Sequence, residues 1–155
     1  MTKLTIVTLN NAYICGFTSN EVKQRPIDFI RSKLQRYGRV TLNDVVVSGY
    51  DNKTEVSIAP ESLYFIIVDE DISNVQTSII DPIPKEAIPV EAKIGDYVIS
   101  GCAHFGKNIN ELKFDNFFQS NNHLVALTDV TIGYNNKNKD FPLVLVSTNA
   151  DYALK

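Results

Sequence analysis

The sequence predicts a mainly β protein with one short helix per repeat, built as a tandem duplication of a small barrel-like β-α-β-β-β unit. Three observations lead there. Val40-Thr41-Leu42-Asn43-Asp44-Val45-Val46-Val47 matches Val125-Ala126-Leu127-Thr128-Asp129-Val130-Thr131-Ile132 at a shift of 85 residues, and the same shift pairs Ile14 and Gly16 with Ile99 and Gly101. Both matched segments change the phase of their apolar alternation at the same point, from Val40 and Leu42 to Val45 and Val47, and from Val125 and Leu127 to Val130 and Ile132. A strand whose apolar face switches sides at Asp44 and Asp129 must be bulged or bent there, and bent strands close small barrels. Between the copies, Asp81-Pro82-Ile83-Pro84-Lys85-Glu86-Ala87-Ile88-Pro89 carries three prolines, which suit a stiff extended linker over 82–89. The first repeat then covers residues 1–81 and the second 90–155.

The elements follow in order. A long strand is expected over 4–17 and again over 90–103. In the first copy a helix follows: Pro26 suits a first helical turn, Ile27, Ile30, Leu34 and Tyr37 recur at helical spacing, and Gly38 stands where a left-handed residue ends a helix. In the second copy Asp115 can cap a short helix that buries Phe117 and Phe118 and stops near Asn121 or Asn122. Strands are expected over 39–48 and 124–132. Turns at Asp51-Asn52 and Asn135-Asn136 hold residues that tolerate left-handed backbone. Apolar strands over 62–69 and 142–148 complete the pattern, with Leu63 to Val68 and Asp71 answering Leu143 to Thr148 and Asp151. A further strand near 72–80 is expected in the first copy.

Composition narrows the function classes. Hydrophobic residues make up 44% of the 155 and charged residues 21%, enough apolar surface to build a core and exclude a disordered chain. No apolar run approaches the roughly 20 residues that span a bilayer, and the N-terminus lacks a basic stretch followed by an apolar run. A soluble protein kept inside the cell, without a membrane partner, is the expectation. Cys15 and Cys102 are too few for a disulfide framework and are expected as buried thiols. His104 and His123 have no second histidine or cysteine at metal-ligand spacing, beyond the fragment Cys102-x-His104, a candidate half of a thiol-imidazole pair against the alternative of a buried thiol beside a loop imidazole. No metal, cofactor, glycine-rich phosphate loop or nucleophile elbow is predicted.

Charge is uneven along the chain. The net charge is −3, yet Lys23, Arg25, Arg31, Lys33, Arg36 and Arg39 face only Glu21 and Asp28, so this stretch carries +4. Arg25, Arg31, Lys33, Arg36 and Arg39 are therefore candidate contacts to an acidic partner, or to phosphate with Tyr37 available for stacking. Asp44 and Asp129, repeated at one point of both copies, are candidate acid–base or cation-binding carboxylates; the structural alternative is that each bonds backbone N–H groups released by the bulge. Gly16 and Gly101 fit a strand bend.

Lys113-Phe114-Asp115-Asn116-Phe117-Phe118-Gln119, followed by Leu124-Val125-Ala126-Leu127-Thr128-Asp129-Val130, resembles a family of small bacterial domains with the pattern R-L-S-D-x-L-N, then F-L-x-L-T-D-V. Arg25-Pro26-Ile27-Asp28-Phe29-Ile30-Arg31 with Val40 to Val45 is similar in a more divergent way. Asn116 and Gln119 depart from the pattern, as do Pro26 and Ile27. The resemblance implies a small barrel similar in outline to Sm-type barrels, in a bacterial cytoplasm, and implies no reaction. The function expected from all of this is a non-enzymatic adaptor or assembly module that binds a protein partner or itself as a homo-oligomer. The alternative is binding of nucleic acid or a nucleotide signal through the basic helix.

Overall fold

The computed structural model describes residues 2–18, 26–47, 53–68, 85–106 and 124–155. It divides into two units, Met1–Ile79 and Ile80–Lys155. The first contains β1 (Thr2–Thr8), β2 (Tyr13–Thr18), α1 (Pro26–Tyr37), β3 (Val40–Val47), β4 (Lys53–Ile58), a 3₁₀ turn (Pro60–Ser62) and β5 (Leu63–Val68). The second contains β6 (Lys85–Ile94), β7 (Tyr97–Gly106), β8 (Leu124–Tyr134), β9 (Lys137–Ser147) and β10 (Asp151–Leu154). Among these residues the protein is mainly β with one helix.

Within the first unit the strands lie side by side in the order β5-β1-β2-β3-β4, and within the second in the order β10-β6-β7-β8-β9. All of the pairs β5-β1, β1-β2, β2-β3, β3-β4, β10-β6, β6-β7, β7-β8 and β8-β9 are antiparallel. In the first unit the main core face holds Leu4 and Ile6 from β1, Ile14 from β2, Val40, Leu42 and Val45 from β3, Ile58 from β4, and Ile66 and Val68 from β5, all buried, and at the alternate positions Val7, Phe65 and Ile67 are buried on the opposite face. In the second, Val90, Ala92, Ile99, Val125, Leu127, Val130, Ile132, Val144 and Val146 do the same work. Removal of this much apolar surface from water is the main favourable term in folding.

α1 forms as its sequence dictates. Phe29, Ile30 and Leu34 are buried, and the helix lies against β3. It stops at Gly38, whose φ of +69° only glycine adopts without a steric penalty, and whose N–H donates to the Leu34 carbonyl at 2.9 Å.

Several elements differ from the sequence reading. The expected strand over 4–17 is a hairpin of β1 and β2 that turns at Leu9–Ala12, with Asn11 at a φ of +58°. The strand expected over 90–103 is likewise a hairpin of β6 and β7, turning at Gly95 with a φ of +56°. Apolar alternation runs through both turns, which hides them. Lys85–Pro89, read as linker, begin β6 and pair with Gly106–Cys102 of β7. The carbonyl of Pro89 accepts the Lys155 N–H beyond the last paired residue of β10, so its missing N–H falls on the β10 side and costs no bond in the ladder to β7.

The expected match of Leu63–Val68 to Leu143–Thr148 is also not what the pairing gives. Leu143–Val146 pair with Thr128–Val125 of β8, as Glu55–Ile58 pair with Asn43–Val40 of β3. By register the counterpart of Leu143–Val146 is the more polar β4, and the place of β5 is taken by β10. The expected strand near 72–80, the Asp51-Asn52 turn, the helix at Asp115–Asn122 and Arg25 lie outside the described residues.

Candidate functional site

The bulges in β3 and β8 are real and alike. Between Cys15 and Phe17, Gly16 of β2 faces two residues of β3, because Cys15 pairs with Val46 while Phe17 pairs with Asn43. Between Ser100 and Cys102, Gly101 faces two residues of β8, because Ser100 pairs with Thr131 and Cys102 with Thr128. Asp44 and Asp129 are the extra residues, with φ of +51° and +52°. One left-handed residue moves Val45 and Val130 back to the core face, which explains the change of phase in the sequence. Aspartate is among the few non-glycine residues that enter this region readily.

Opposite each bulge the backbones are close. A Cβ on Gly16 would lie 2.9 Å from the Leu42 Cβ and 3.1 Å from the Asn43 carbonyl oxygen; a Cβ on Gly101 would lie 3.0 Å from the Thr128 carbonyl oxygen and 3.2 Å from the Leu127 Cβ. The glycines are space requirements of the bulge. Both aspartates are exposed, and each supplies the left-handed backbone of its bulge; among the described residues no backbone N–H donates a hydrogen bond to either carboxylate.

Asp129 does rim a feature of its own. An open depression of about 390 Å³ is lined by Asp129, Val130, Thr131, Asp140, Phe141 and Pro142. Thr131 Oγ1 donates to Asp140 Oδ1 at 2.7 Å, and Lys139 Nζ lies 5.5 Å from the centre of the Phe141 ring. Asp140 is already an acceptor, and the depression is open, lined by both polar and apolar side chains. Asp44 and Asp129 sit in separate units and are not assembled into one carboxylate pair by any pairing within a unit.

Cys102 and His104 lie on the same face of β7, two residues apart. His104 Nε2 shares a 2.8 Å hydrogen bond with Thr128 Oγ1, so one imidazole nitrogen is committed across the β7–β8 pair. Cys15 and Cys102 are free and half-buried instead of fully buried. His123 lies outside the described residues. Among the described residues no group of three or more His, Cys, Asp or Glu converges as metal ligands.

The basic residues of α1 do not form one patch. Arg31 and Lys33 are two positions apart, which separates them by about 160° around the helix, and both are half-buried along its flanks. Arg36 points to solvent and its guanidinium sits 5.6 Å from the Tyr37 ring centre, while Tyr37 is 64% exposed. Arg39 is exposed beyond the helix end. Arg36, Tyr37 and Arg39 make a small group at the C-terminal end of α1, Lys33 lies one turn back on the same side at i, i+3 from Arg36, and Arg31 stands apart from them.

The feature that sequence reasoning missed is at the sheet edges. Among the described residues β4 pairs only with β3, and β10 pairs only with β6. The Lys155 N–H bonds the Pro89 carbonyl at 3.1 Å, so alternation along β10 turns the backbone groups of Asp151 and Ala153 toward β6 and those of Tyr152 and Leu154 outward. Leu154 pairs with Val90 and Tyr152 with Ala92, both fully buried core-face residues. Leu154 therefore belongs to the core face, yet it is 55% exposed. Tyr152 anchors the strand by donating its hydroxyl to the Ser147 carbonyl at 2.8 Å. No helix is long and apolar enough to cross a membrane among the described residues. Comparison with known proteins finds no family model, no curated relative and no solved structure that matches this chain.

Proposed function

We propose that the protein is a non-enzymatic assembly or adaptor module that acts through protein–protein contacts, built from two tandem copies of one small barrel-like unit. The duplication is supported by the shared strand order, by a left-handed Asp at one point of both bulges, and by a glycine opposite each. The likeness to the small bacterial domain family, and a cytoplasmic setting, belong to the same proposal.

The observation that carries the functional reading is the edge at β10, which among the described residues pairs only with β6. An unpaired strand edge is a template for another chain, and here it is bordered by a core-face leucine left 55% exposed. The register counterpart of Leu154 in the first unit is Val68, which pairs with Leu4 as Leu154 pairs with Val90, and Val68 is 1% exposed. A position built for burial in one copy is open in the other. Native mass by light scattering, measured over a wide concentration range, tests the reading; the expected result is a defined species heavier than one chain or a stable complex with a purified protein partner. A chain that stays monomeric throughout and holds no protein partner would remove it. Binding of nucleic acid or nucleotide through α1 has less support, because Arg31 lies on another side of the helix from Lys33 and Arg36 and the remaining basic group is small.

A further inference from the structure

We infer that the partner at the β10 edge is the β10 of a second copy of this chain, paired antiparallel about a two-fold axis at Ala153, so that Tyr152 of each copy stands opposite Leu154 of the other. The inference rests on the assembly reading above and names its partner and register.

The direction of the backbone groups comes first. Gly95, with a φ of +56°, and Asp96 form a two-residue hairpin turn that makes Ile94 and Tyr97 a bonded pair. By alternation Ile94, Ala92 and Val90 turn their N–H and C=O groups toward β7, and Lys93, Glu91 and Pro89 turn theirs toward β10. The Lys155 N–H reaches the Pro89 carbonyl at 3.1 Å, as that alternation requires. The pairing of β6 with β7 and with β10 runs without a register shift, so no bulge reverses the order. Tyr152 and Leu154 present their N–H and C=O groups on the side away from β6.

Antiparallel strands bond where outward residues stand opposite outward residues, which restricts two copies of β10 to registers that differ by steps of two. Setting Tyr152 against Leu154 uses both outward residues of both copies, each pair exchanging N–H···O bonds in both directions. Setting Tyr152 against Tyr152 brings Leu154 opposite Ala150, which lies before β10 in a turn where its N–H donates to the Ser147 carbonyl. Setting Leu154 against Leu154 carries Tyr152 beyond the end of the other copy's β10.

The side chains select the same register. Tyr152 and Leu154 pair with Ala92 and Val90, both fully buried on the core face, and residues directly opposite across an antiparallel pair share a face. Each exposed Leu154 therefore lies beside the Tyr152 of the other copy, and the core face continues across the junction. On the opposite face Ala153 meets Ala153 at the axis, where a small side chain suits the close spacing of a non-bonded pair. Asp151 stands opposite Lys155 on either side of the axis, and both residues are exposed. Lys93, the neighbour of Asp151 on β6, has its own partner in Glu91 at 3.7 Å. Asp151-Tyr152-Ala153-Leu154-Lys155 runs acidic, apolar, small, apolar, basic, a pattern complementary to itself read backwards. The same patch serves both copies, so the contact is isologous and closes at two chains.

Across the axis the Ala153 Cα atoms approach to about 4.5 Å, within disulfide range. Full-length Ala153→Cys, oxidised, is expected to form a dimer whose disulfide joins the two introduced thiols, as peptide mapping identifies. Asp151→Cys sets its two thiols about 14 Å apart, four residues along the strand, and is expected not to cross-link, like the wild type with Cys15 and Cys102. Asp151→Lys and Lys155→Glu are each expected to raise the dimer dissociation constant roughly ten-fold, and an equimolar mixture of the two to recover wild-type affinity, because each supplies the charge the other lacks. Leu154→Pro removes an outward N–H without breaking a bond to β6, and is expected to lower the native mass from two chains to one while circular dichroism stays that of the wild type; Leu154→Asp provides a second version should the proline unfold β10. If the wild type assembles but the Ala153→Cys thiols do not join, if the folded Leu154 variants keep its mass, if it grows beyond two chains, or if it is a monomer that holds a different purified protein, this interface is wrong and the assembly reading stands. If the wild type is monomeric at every concentration and binds no purified partner, both fall.

Discussion

Replacing Gly16 by alanine puts a single methyl group into the tightest point of the first unit. Its Cβ would meet the Leu42 Cβ at 2.9 Å, the Asn43 carbonyl oxygen at 3.1 Å and the Val45 Cγ2 at 3.1 Å. The first two are fixed to the β3 backbone, so relief requires β2 and β3 to separate at the bulge. Overpacking of this kind destabilises by about 1–3 kcal/mol. Reduced freedom of the unfolded chain returns about 0.4–1 kcal/mol, leaving a net loss of about 1–2 kcal/mol. For a unit of this size each kcal/mol lowers the melting temperature by about 4–8 °C, so calorimetry of Gly16→Ala should show a drop of roughly 4–16 °C in the transition of the first unit. Gly133→Ala is the internal control. There the nearest neighbour is the Asn138 Oδ1 at 3.0 Å, the tip of a flexible side chain, and the next is the Val98 carbonyl oxygen at 3.6 Å. Its melting should stay near wild type or rise. Equal losses for the two variants, or none for Gly16→Ala, would refute the claim that the bulge demands glycine opposite it.

Three further outcomes follow from the same geometry. At Asp129, whose φ is +52°, Asn and Gly should be tolerated while Ala costs about 1 kcal/mol relative to Gly, without changing the native mass; urea titration gives the ranking, and an Ala variant as stable as Gly would contradict the left-handed backbone. Burial pushes the Tyr152 phenol above the ordinary tyrosine range, so above about pH 10 the unfolded chain releases a proton that the folded one retains. Stability should fall as pH rises past that point, and Tyr152→Phe should lose this component while costing about 0.5–1.5 kcal/mol at neutral pH through the missing bond to Ser147. Arg36→Glu with Arg39→Glu should leave melting and native mass unchanged; release of salt-sensitive bound nucleic acid from the wild type, and its absence in the variant, would instead establish the phosphate-binding alternative.

The local features of the fold could be read from the sequence because their causes are local. The shift from Leu42 to Val45 and from Leu127 to Val130 marks the bulges, Pro26 and Gly38 bracket α1, and Asn135-Asn136 marks a two-residue turn. The hairpins at Asn11 and Gly95 were hidden because Ile6, Ile14, Ile94 and Ile99 continue the apolar pattern on both sides of each turn. β9 was matched to β5 because Leu143–Val146 and Leu63–Val68 are both apolar, whereas register assigns it to the polar Lys-Thr-Glu-Val-Ser-Ile of β4. The basic run was visible as charge alone, and helical spacing separates Arg31 from Lys33. The edge at β10 had no local signature. Leu154 becomes informative only when its partner Val90 is known, and that pairing joins distant parts of the chain.

That distance also shapes how each unit comes together in time. The strands β1 to β4 pair with sequence neighbours, as do β6 to β9, but Leu4 must find Val68 and Val90 must find Leu154, each pair 64 residues apart. Closing a loop of that length costs roughly 4 kcal/mol of chain entropy, against a two-residue connection between β8 and β9. The closure entropy favours assembly of the meander before its last strand docks, and we expect β5 and β10 to join late. Interactions absent from the transition state govern the rate of unfolding and leave the rate of folding almost untouched. Substitutions that weaken β5 or β10 should accordingly steepen the loss of native protein in unfolding kinetics while refolding proceeds at its usual pace.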